Sequence, residues 1–307
     1  MFSSILLRSF LLLFISGIGW GVGKRFQLDG KSLASLLIYV ISPFVIFYSI
    51  VQSPANGYYL IYALAAFIIA CIMACLGLLF ARLFWQDNHI HLFAFAAGTG
   101  NTGYFALPLA LAIFNQQQIA IAIFIIIGVN CYEFSVGYFL TAKGAMGYRE
   151  SLKKVIKMPI LYAALLGILF KYFDFSLSDI LLSFLDNFKG AYSVLGMMTI
   201  GITLAQFSQI DIDWRYAITS IFWKHVLYPI MAVMVFIFII PVDLKTLQVI
   251  GLMAATPMAA NVVIISSALG LHPEKAVTSV MLSSVFAVVT IPLVLYVIDH
   301  LILPQYV

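Results

Sequence analysis

Residues 98–108 read GTGNTGYFALP, and the first six match the G-x-G-x-x-G spacing of a dinucleotide-binding turn. In a nucleotide-binding domain that turn follows a strand, and an acidic residue comes about 20 residues later. Here residues 92–114 contain no Asp, Glu, Lys or Arg, and the next acidic residue is Glu133. These surroundings argue against a nucleotide site and indicate glycines inside an apolar span.

The composition of the whole chain indicates a membrane protein. Of 307 residues, 64% are hydrophobic and 9% are charged, whereas about a quarter of the residues in soluble domains are charged. So few charges cannot cover the surface of a soluble domain, and the chain must face lipid. The basic residues are scattered, so we expect no nucleic-acid partner. The cysteines lie in apolar segments without metal-ligand spacing, so we expect no metal and no cofactor.

Ten segments have the apolar length of about 20 residues that a bilayer crossing requires, although the sixth is short. They are residues 3–23, 32–51, 58–84, 92–114, 119–141, 159–173, 190–207, 216–240, 247–269 and 275–298. The first lacks the basic start and cleavage site of a signal peptide, so we expect it to be retained. Residues 176–187 form a separate amphipathic pattern, which we expect at the membrane interface.

The basic residues also predict an orientation. Most Lys and Arg residues of the loops follow odd-numbered spans, including Lys24, Arg82, Arg149, Arg215 and Lys275. The positive-inside rule places these loops in the cytoplasm and both termini outside.

The chain divides into two halves of five spans each. Residues 143–158 form a basic connector between the first repeat, residues 1–142, and the second, residues 159–307. Because five is odd, two repeats of the same fold must be inserted with opposite orientations, as in many secondary transporters. We therefore predict an all-α membrane protein with ten transmembrane helices in two inverted five-helix repeats.

The fourth span of each half has a similar interruption. FAAGTGNTGYFALPLALAIF and MAATPMAANVVIISSALG both contain a pair of alanines, followed by Gly, Thr, Pro and Asn. Matching interruptions are the best sequence indication of a binding site near the membrane midplane. We predict that helices four and nine break over residues 98–108 and 256–261.

These breaks supply the candidate substrate-binding residues. A broken helix exposes backbone N–H groups and a positive dipole end that suit an anion. The predicted substrate-binding residues are Gly100, Asn101, Thr102, Pro108, Thr256, Pro257 and Asn261. The alternative is that Asn101 and Asn261 only cap the broken helices.

Ionisable residues inside spans are candidates for ion coupling, because burying them in a membrane is costly. Glu133 lies in the fifth span with Asn130 one turn before it, and Lys224 and His225 lie in the eighth. These four residues are the predicted coupling or proton-relay group. The alternative is a static Glu133–Lys224 ion pair or residues that reach the interface.

Two segments resemble a known family. GNTGYFALPLALAIF (residues 100–114) resembles the Asn-Gly-Pro stretch of the auxin efflux carrier family, and residues 270–298 are similar to its last span. The resemblance implies a transporter in which broken helices four and nine cross. It also implies a scaffold of spans one, two, six and seven, and a moving domain of the other six. Plant members move auxin, and bacterial members are associated with malate-like carboxylates.

The chain lacks the long hydrophilic central loop of many plant members, so we expect a bacterial protein in the inner membrane. The predicted function is secondary active transport of a small organic anion, such as a malate-like or auxin-like carboxylate, by alternating access. H⁺ and Na⁺ both remain open as coupling ions, and we expect a homodimer through the scaffold spans. The alternatives are a sodium-coupled symporter of the bile-acid type and a non-transporting receptor or channel. No catalytic motif points to an enzyme.

Overall fold

The computed structural model describes residues 2–52, 57–87, 89–143, 149, 153, 156–157, 159–206, 212–269 and 271–302. All regular elements within these residues are helical, which confirms the predicted all-α class. The α-helices are α1 (Phe2–Phe26), α2 (Gly30–Leu36), α3 (Ser42–Gln52), α4 (Leu60–Ala81), α5 (His89–Gly98), α6 (Leu107–Ile113), α7 (Gln116–Tyr132), α8 (Tyr138–Ala142), α9 (Pro159–Tyr172), α10 (Asp179–Ala205), α11 (Trp214–Phe222), α12 (Tyr228–Phe238), α13 (Leu244–Ala254), α14 (Ala260–Leu269) and α15 (Pro273–Val297). Most of the predicted connector lies outside the described residues.

Several of these helices continue into one another through π-helical turns. The turns are Leu37–Ile41, Thr102–Ala106, Glu133–Gly137, Trp223–Leu227 and Ile298–Ile302. A π turn adds one residue to a helical turn and is frequent at functional sites. Two of the turns contain the predicted coupling residues Glu133, Lys224 and His225.

Five helices within the described residues are long and apolar enough to cross a membrane. They are Leu60–Ala81, Gln116–Ala142, Asp179–Ala205, Trp214–Phe238 and Pro273–His300. Large apolar side chains such as Leu64, Leu79 and Val289 are exposed on them, as expected of surfaces that face lipid. The protein is therefore a multi-pass integral membrane protein.

The fourth and ninth predicted spans are interrupted, as expected from their glycines and prolines. The fourth is non-helical at residues 99–101, and the ninth at residues 255–259. The breaks are shorter than predicted, because Gly98 still belongs to α5, Thr102–Ala106 is a π turn and Asn261 lies in α14. Pro108 falls in the first turn of α6, directly after the π turn Thr102–Ala106.

The predicted amphipathic segment, residues 176–187, is continuous with the seventh predicted span and is not set apart from it. Those residues from Asp179 onward belong to α10, which runs without interruption to Ala205. Ser178 caps the start of α10, since its hydroxyl accepts a hydrogen bond from the backbone N–H of Leu181. Gly190 lies inside the helix without ending it, because a single glycine costs a helix only about 1 kcal/mol.

The helices pack in two groups. The first bundle consists of α1, α2, α3, α9 and α10, with α1 lying along α10 and α9 along α3. The second bundle consists of α4, α5, α7 and α11–α15, in which α4 contacts α5 and α7, and α7 contacts α13. These groups contain the same spans that the family resemblance assigns to a scaffold and a moving domain. The π turn Thr102–Ala106 packs against α10 and so lies between the bundles.

Close packing of α1 on α10 depends on two glycines spaced four residues apart. A Cβ atom on Gly23 would lie 2.9 Å from Ala205 Cβ, and one on Gly19 would overlap the backbone of Met198. A Cβ on Gly21, on the other side of α1, would meet nothing within 4 Å. This is the small-residue spacing with which membrane helices approach one another closely.

We therefore expect Gly19→Val and Gly23→Val to destabilise the protein, because overpacking a tight interface costs about 1–3 kcal/mol. Gly21→Val is the matched control in the same helix and should leave the melting temperature of the purified protein nearly unchanged. Equal melting temperatures for all three variants would contradict this packing.

Candidate crossover site

The two helix breaks meet inside the protein. The backbone N–H of Asn101 donates a hydrogen bond to the carbonyl oxygen of Pro257, at 2.7 Å. Gly100, Asn101 and Pro257 are all buried. This bond satisfies one donor and one acceptor that the interruptions release from helical bonding, which a buried backbone requires. We call this contact between residues 99–101 and 255–259 the crossover.

A buried carboxylate connects both breaks. Glu133 is 1% exposed, and its Oε1 accepts a hydrogen bond from Thr99 Oγ1 in the first break. Its Oε2 accepts one from Asn261 Nδ2, at 2.6 Å, in the first turn of α14. Hydrogen bonds to an ionised group are among the strongest in proteins. The positive dipole end of α14 adds to the stabilisation of the carboxylate.

A buried ammonium group lies at the same crossover. Lys224 is 1% exposed, and its Nζ donates to the carbonyl oxygen of Ala254, at 3.2 Å, at the C-terminal end of α13. The same Nζ lies 3.8 Å from the ring centroid of Tyr228, a cation–π distance. A Cβ built on Gly100 would lie 2.9 Å from this nitrogen, so the first break runs directly beside Lys224.

Glu133 and Lys224 do not form a direct ion pair. Both side chains lie in the described part of the chain, and no carboxylate oxygen of Glu133 is within 4 Å of Lys224 Nζ. Glu133 instead bonds to Asn261 in the first turn of α14, and Lys224 bonds to Ala254 O at the C-terminal end of α13. The helix dipole is positive at the first of these ends and negative at the second. The structure therefore does not contain the direct Glu133–Lys224 ion pair that was considered as an alternative.

The two asparagines differ in what their amides do. The Asn101 side chain makes no capping hydrogen bond, and its buried Nδ2 has no partner within the described residues. Asn261 donates a hydrogen bond from Nδ2 to Glu133, and its buried Oδ1 has no partner among the described residues. A buried amide donor without a partner costs about 1–3 kcal/mol, so such groups call for an explanation. Capping does not supply one for Asn101.

His225 bonds to α15 through both of its ring nitrogens. Its Nε2 lies 2.8 Å from Ser283 Oγ and its Nδ1 lies 2.9 Å from Thr290 Oγ1. Ser283 Oγ also accepts from the backbone N–H of Met258, at 2.9 Å, within the second break. His225 thus joins the π turn Trp223–Leu227 to α15, and Ser283 of α15 joins the second break.

The remaining predicted residues are placed as follows. Thr256 lies in the second break, where its hydroxyl donates to Met253 O at 3.0 Å. Thr102 is buried and its backbone N–H donates to Gly100 O, at 2.7 Å. Asn130 is buried on α7, one turn before Glu133.

Thr99 was missed from the sequence, although it directly precedes Gly100. A threonine between two glycines carries no recognisable signal until its carboxylate partner, 34 residues later, is known.

A second polar cluster lies outside the crossover. Ligand atoms of Asp87, His89 and His272 all lie within 4.8 Å of one another and could together hold a metal ion. Lys275 Nζ contacts His89 Nε2 and donates to Asp213 Oδ2, at 2.9 Å. Burial raises the pKa of Asp213, but hydrogen bonds from the Tyr216 backbone and Lys275 outweigh it and hold that pKa below its ordinary value.

The chain is similar to a family of membrane transport proteins and to individual transporters. Residues 145–295 match a family described as membrane transport protein. An uncharacterized transporter of Methanocaldococcus jannaschii is 26% identical over 57% of this chain, and the match covers 60% of that relative. A "Putative malonate transporter" of Rhizobium meliloti is 21% identical over 89% of this chain and 88% of its own length. An uncharacterized transporter of Methanothermobacter thermautotrophicus is 27% identical over 57% of this chain and 59% of its own length.

The crossover geometry predicts that Asn261 and Glu133 are energetically coupled. Asn261→Ala removes a donor to a charged group and should destabilise the protein by about 1.5–3 kcal/mol. In a Glu133→Gln background the same substitution should cost less, because the lost bond is then between neutral groups. A double-mutant cycle on the melting temperature measures this coupling. Additive effects of the two substitutions would contradict the contact.

Proposed function

Because the chain belongs to the membrane transport protein family, we propose that it is a secondary active transporter that moves a small organic anion by alternating access. Family membership confirms the resemblance to auxin efflux carriers. The observation that carries the proposal is the unpartnered, buried Nδ2 of Asn101 where the two broken helices meet. Broken helices that meet at a site of this kind are the hallmark of substrate binding in secondary transporters.

A carboxylate is the substrate class that fits these groups. Asn101 Nδ2 can donate only to an acceptor, and the nearby Lys224 ammonium favours negative charge. The first half-helix after the break adds its positive end. The Rhizobium relative is named for malonate. We therefore favour a small dicarboxylate of the malonate or malate type over an auxin-like monocarboxylate.

The proposal includes the membrane topology. We propose ten spans in two inverted repeats, residues 1–142 and 159–307, joined by a cytoplasmic connector at residues 143–158. The excess of basic residues in that connector and in the loops after odd spans supports termini on the outer face of a bacterial inner membrane. The first bundle would be the scaffold, with a second copy of the chain docking on it, and the second bundle would move.

A cavity between the bundles supports an access route for the anion. It has a volume of about 320 Å³ and is lined by Tyr48, Ser49 and Gln52 of α3, Gln116 of α7 and Lys189 of α10, among others. Lys189 is the charged group in this lining, and a lysine attracts anions by its field. The cavity lies where the first and second bundles meet, so relative motion of the bundles would open or close it.

Glu133 is our candidate for ion coupling. It is the group whose charge state determines how both breaks are bonded, because Thr99 and Asn261 both donate to it. Protonation of Oε2 would turn it into a donor and break the bond from the Asn261 amide, which can only donate, whereas the Thr99 hydroxyl can either donate or accept. The crossover would then be free to rearrange.

The binding proposal predicts that Asn101→Ala weakens affinity for a dicarboxylate. A hydrogen bond to a charged group contributes about 1.5–3 kcal/mol, so the loss should be about 10- to 100-fold. Asn101→Asp should bind more weakly still, because it faces the anion with a like charge in a low dielectric.

Calorimetry with malonate and malate on purified protein measures these affinities. Asn187→Ala is the control, since Asn187 is exposed and bonds only to its own helix. Wild-type affinity in a folded Asn101→Asp protein would reject Asn101 as an anion ligand. If the wild-type protein transports no carboxylate in proteoliposomes, the receptor or channel alternative gains support.

The coupling proposal predicts that Glu133→Gln abolishes uptake driven by a pH gradient and leaves exchange of internal for external substrate intact. Glutamine keeps the shape of the side chain but cannot change its charge. Uptake and counterflow in proteoliposomes separate the two activities, and Glu274→Gln, on a partly exposed side chain, is the control. Equal loss of both activities, or of neither, would make Glu133 a structural residue.

A further inference from the structure

The C-terminal end of α13 is a place where a cation is expected. The last carbonyl groups of a helix have no helical partner and carry the negative end of its dipole. In transporters with broken helices, such ends and the unwound carbonyls beside them coordinate Na⁺. Here the helix ends at Ala254, followed by the break at residues 255–259.

That position already holds a positive charge from the protein itself. Lys224 Nζ donates to Ala254 O, at 3.2 Å, and faces the ring of Tyr228, at 3.8 Å. A Cβ built on Gly100 would lie 2.9 Å from Nζ and 2.8 Å from Thr256 Oγ1, so both atoms lie beside Gly100. A carbonyl, an aromatic face and a nearby hydroxyl oxygen are groups that receive a cation.

The Thr256 hydroxyl is oriented so that its oxygen stays available. Its proton is directed to Met253 O, at 3.0 Å, which leaves the oxygen lone pairs free. The negative charge that balances the cation is also present, because the Glu133 carboxylate bonds to the residues on either side of the crossover.

We propose that the Lys224 ammonium is a tethered cation that fills, at the C-terminal end of α13, the position that a coupling Na⁺ would otherwise take. The inference rests on the proposed transport function and extends it to the ion requirement. A lysine ammonium is a compact point charge on a flexible stem, so it can replace a small monovalent ion. The crossover therefore carries its own cation and does not need Na⁺ to balance Glu133.

Removing the ammonium should recreate a site for a free cation. Lys224→Ala leaves Ala254 O without its donor, leaves Glu133 uncompensated and opens space beside Thr256. An uncompensated buried charge is strongly unfavourable, so a small cation with its water should bind there. Lys224→Met also removes the charge but fills most of the space, and should leave no room for the ion.

The test compares the melting temperature of purified protein in NaCl and in choline chloride. Na⁺ should leave the wild-type protein unchanged and stabilise Lys224→Ala, with about a tenfold gain in the ratio of folded to unfolded protein at ten times the dissociation constant. Lys224→Met should show no response. Lys245→Ala, which removes an exposed lysine in the first turn of α13, is the control and should behave as the wild type.

The same variants are then assayed for uptake of malonate. Lys224→Ala should transport only when Na⁺ is present, whereas the wild type should transport equally in both salts. Stabilisation of the wild type by Na⁺ would overturn the inference without any variant. An equal response of Lys224→Ala and Lys224→Met, or no response of a folded Lys224→Ala, would also overturn it.

If Lys224→Ala does not fold, Lys224→Ser leaves nearly the same space and is judged by the same outcomes. If the protein transports no carboxylate, the proposed function is rejected. The melting-temperature comparison would still decide the inference, because it requires no substrate.

Discussion

The crossover depends on the carboxylate of Glu133, which accepts hydrogen bonds from Thr99 in one break and from Asn261 beside the other. Breaking a helix inside a membrane is unfavourable unless the released polar groups find partners within the protein. The Asn101–Pro257 backbone bond satisfies one such pair. Glu133 then ties the side chains of both segments to a third helix, so the position of each break depends on the other.

The two ionisable groups of the site each lie beside a helix end. Glu133 lies by the start of α14 and Lys224 by the end of α13, so that each charge meets the dipole of opposite sign. The buried Nδ2 of Asn101 takes part in none of the bonds of these two groups and has no partner among the described residues.

The sequence predicted the helical class, the two interruptions and the residues that line them, because glycines and prolines inside apolar spans have a direct backbone consequence. Ionisable residues within spans were equally visible, since burying them is costly. Bond partners were not predictable. That Glu133 bonds Thr99 and Asn261 rather than Lys224 depends on how α7, α13 and α14 pack, and no local pattern encodes that packing. The single helix from Asp179 to Ala205 was divided in the prediction because its first turns are amphipathic, whereas its capping and continuity depend on Ser178 and on packing against α1.

The most direct test of the account is the position of a bound dicarboxylate in crystals of the protein soaked with bromomalonate, located by the anomalous signal of bromine. The account predicts a peak at the crossover, with a carboxylate oxygen about 3 Å from Asn101 Nδ2, a normal hydrogen-bond distance. A peak confined to the cavity lined by Lys189 and Gln116, with none between the breaks, would contradict it.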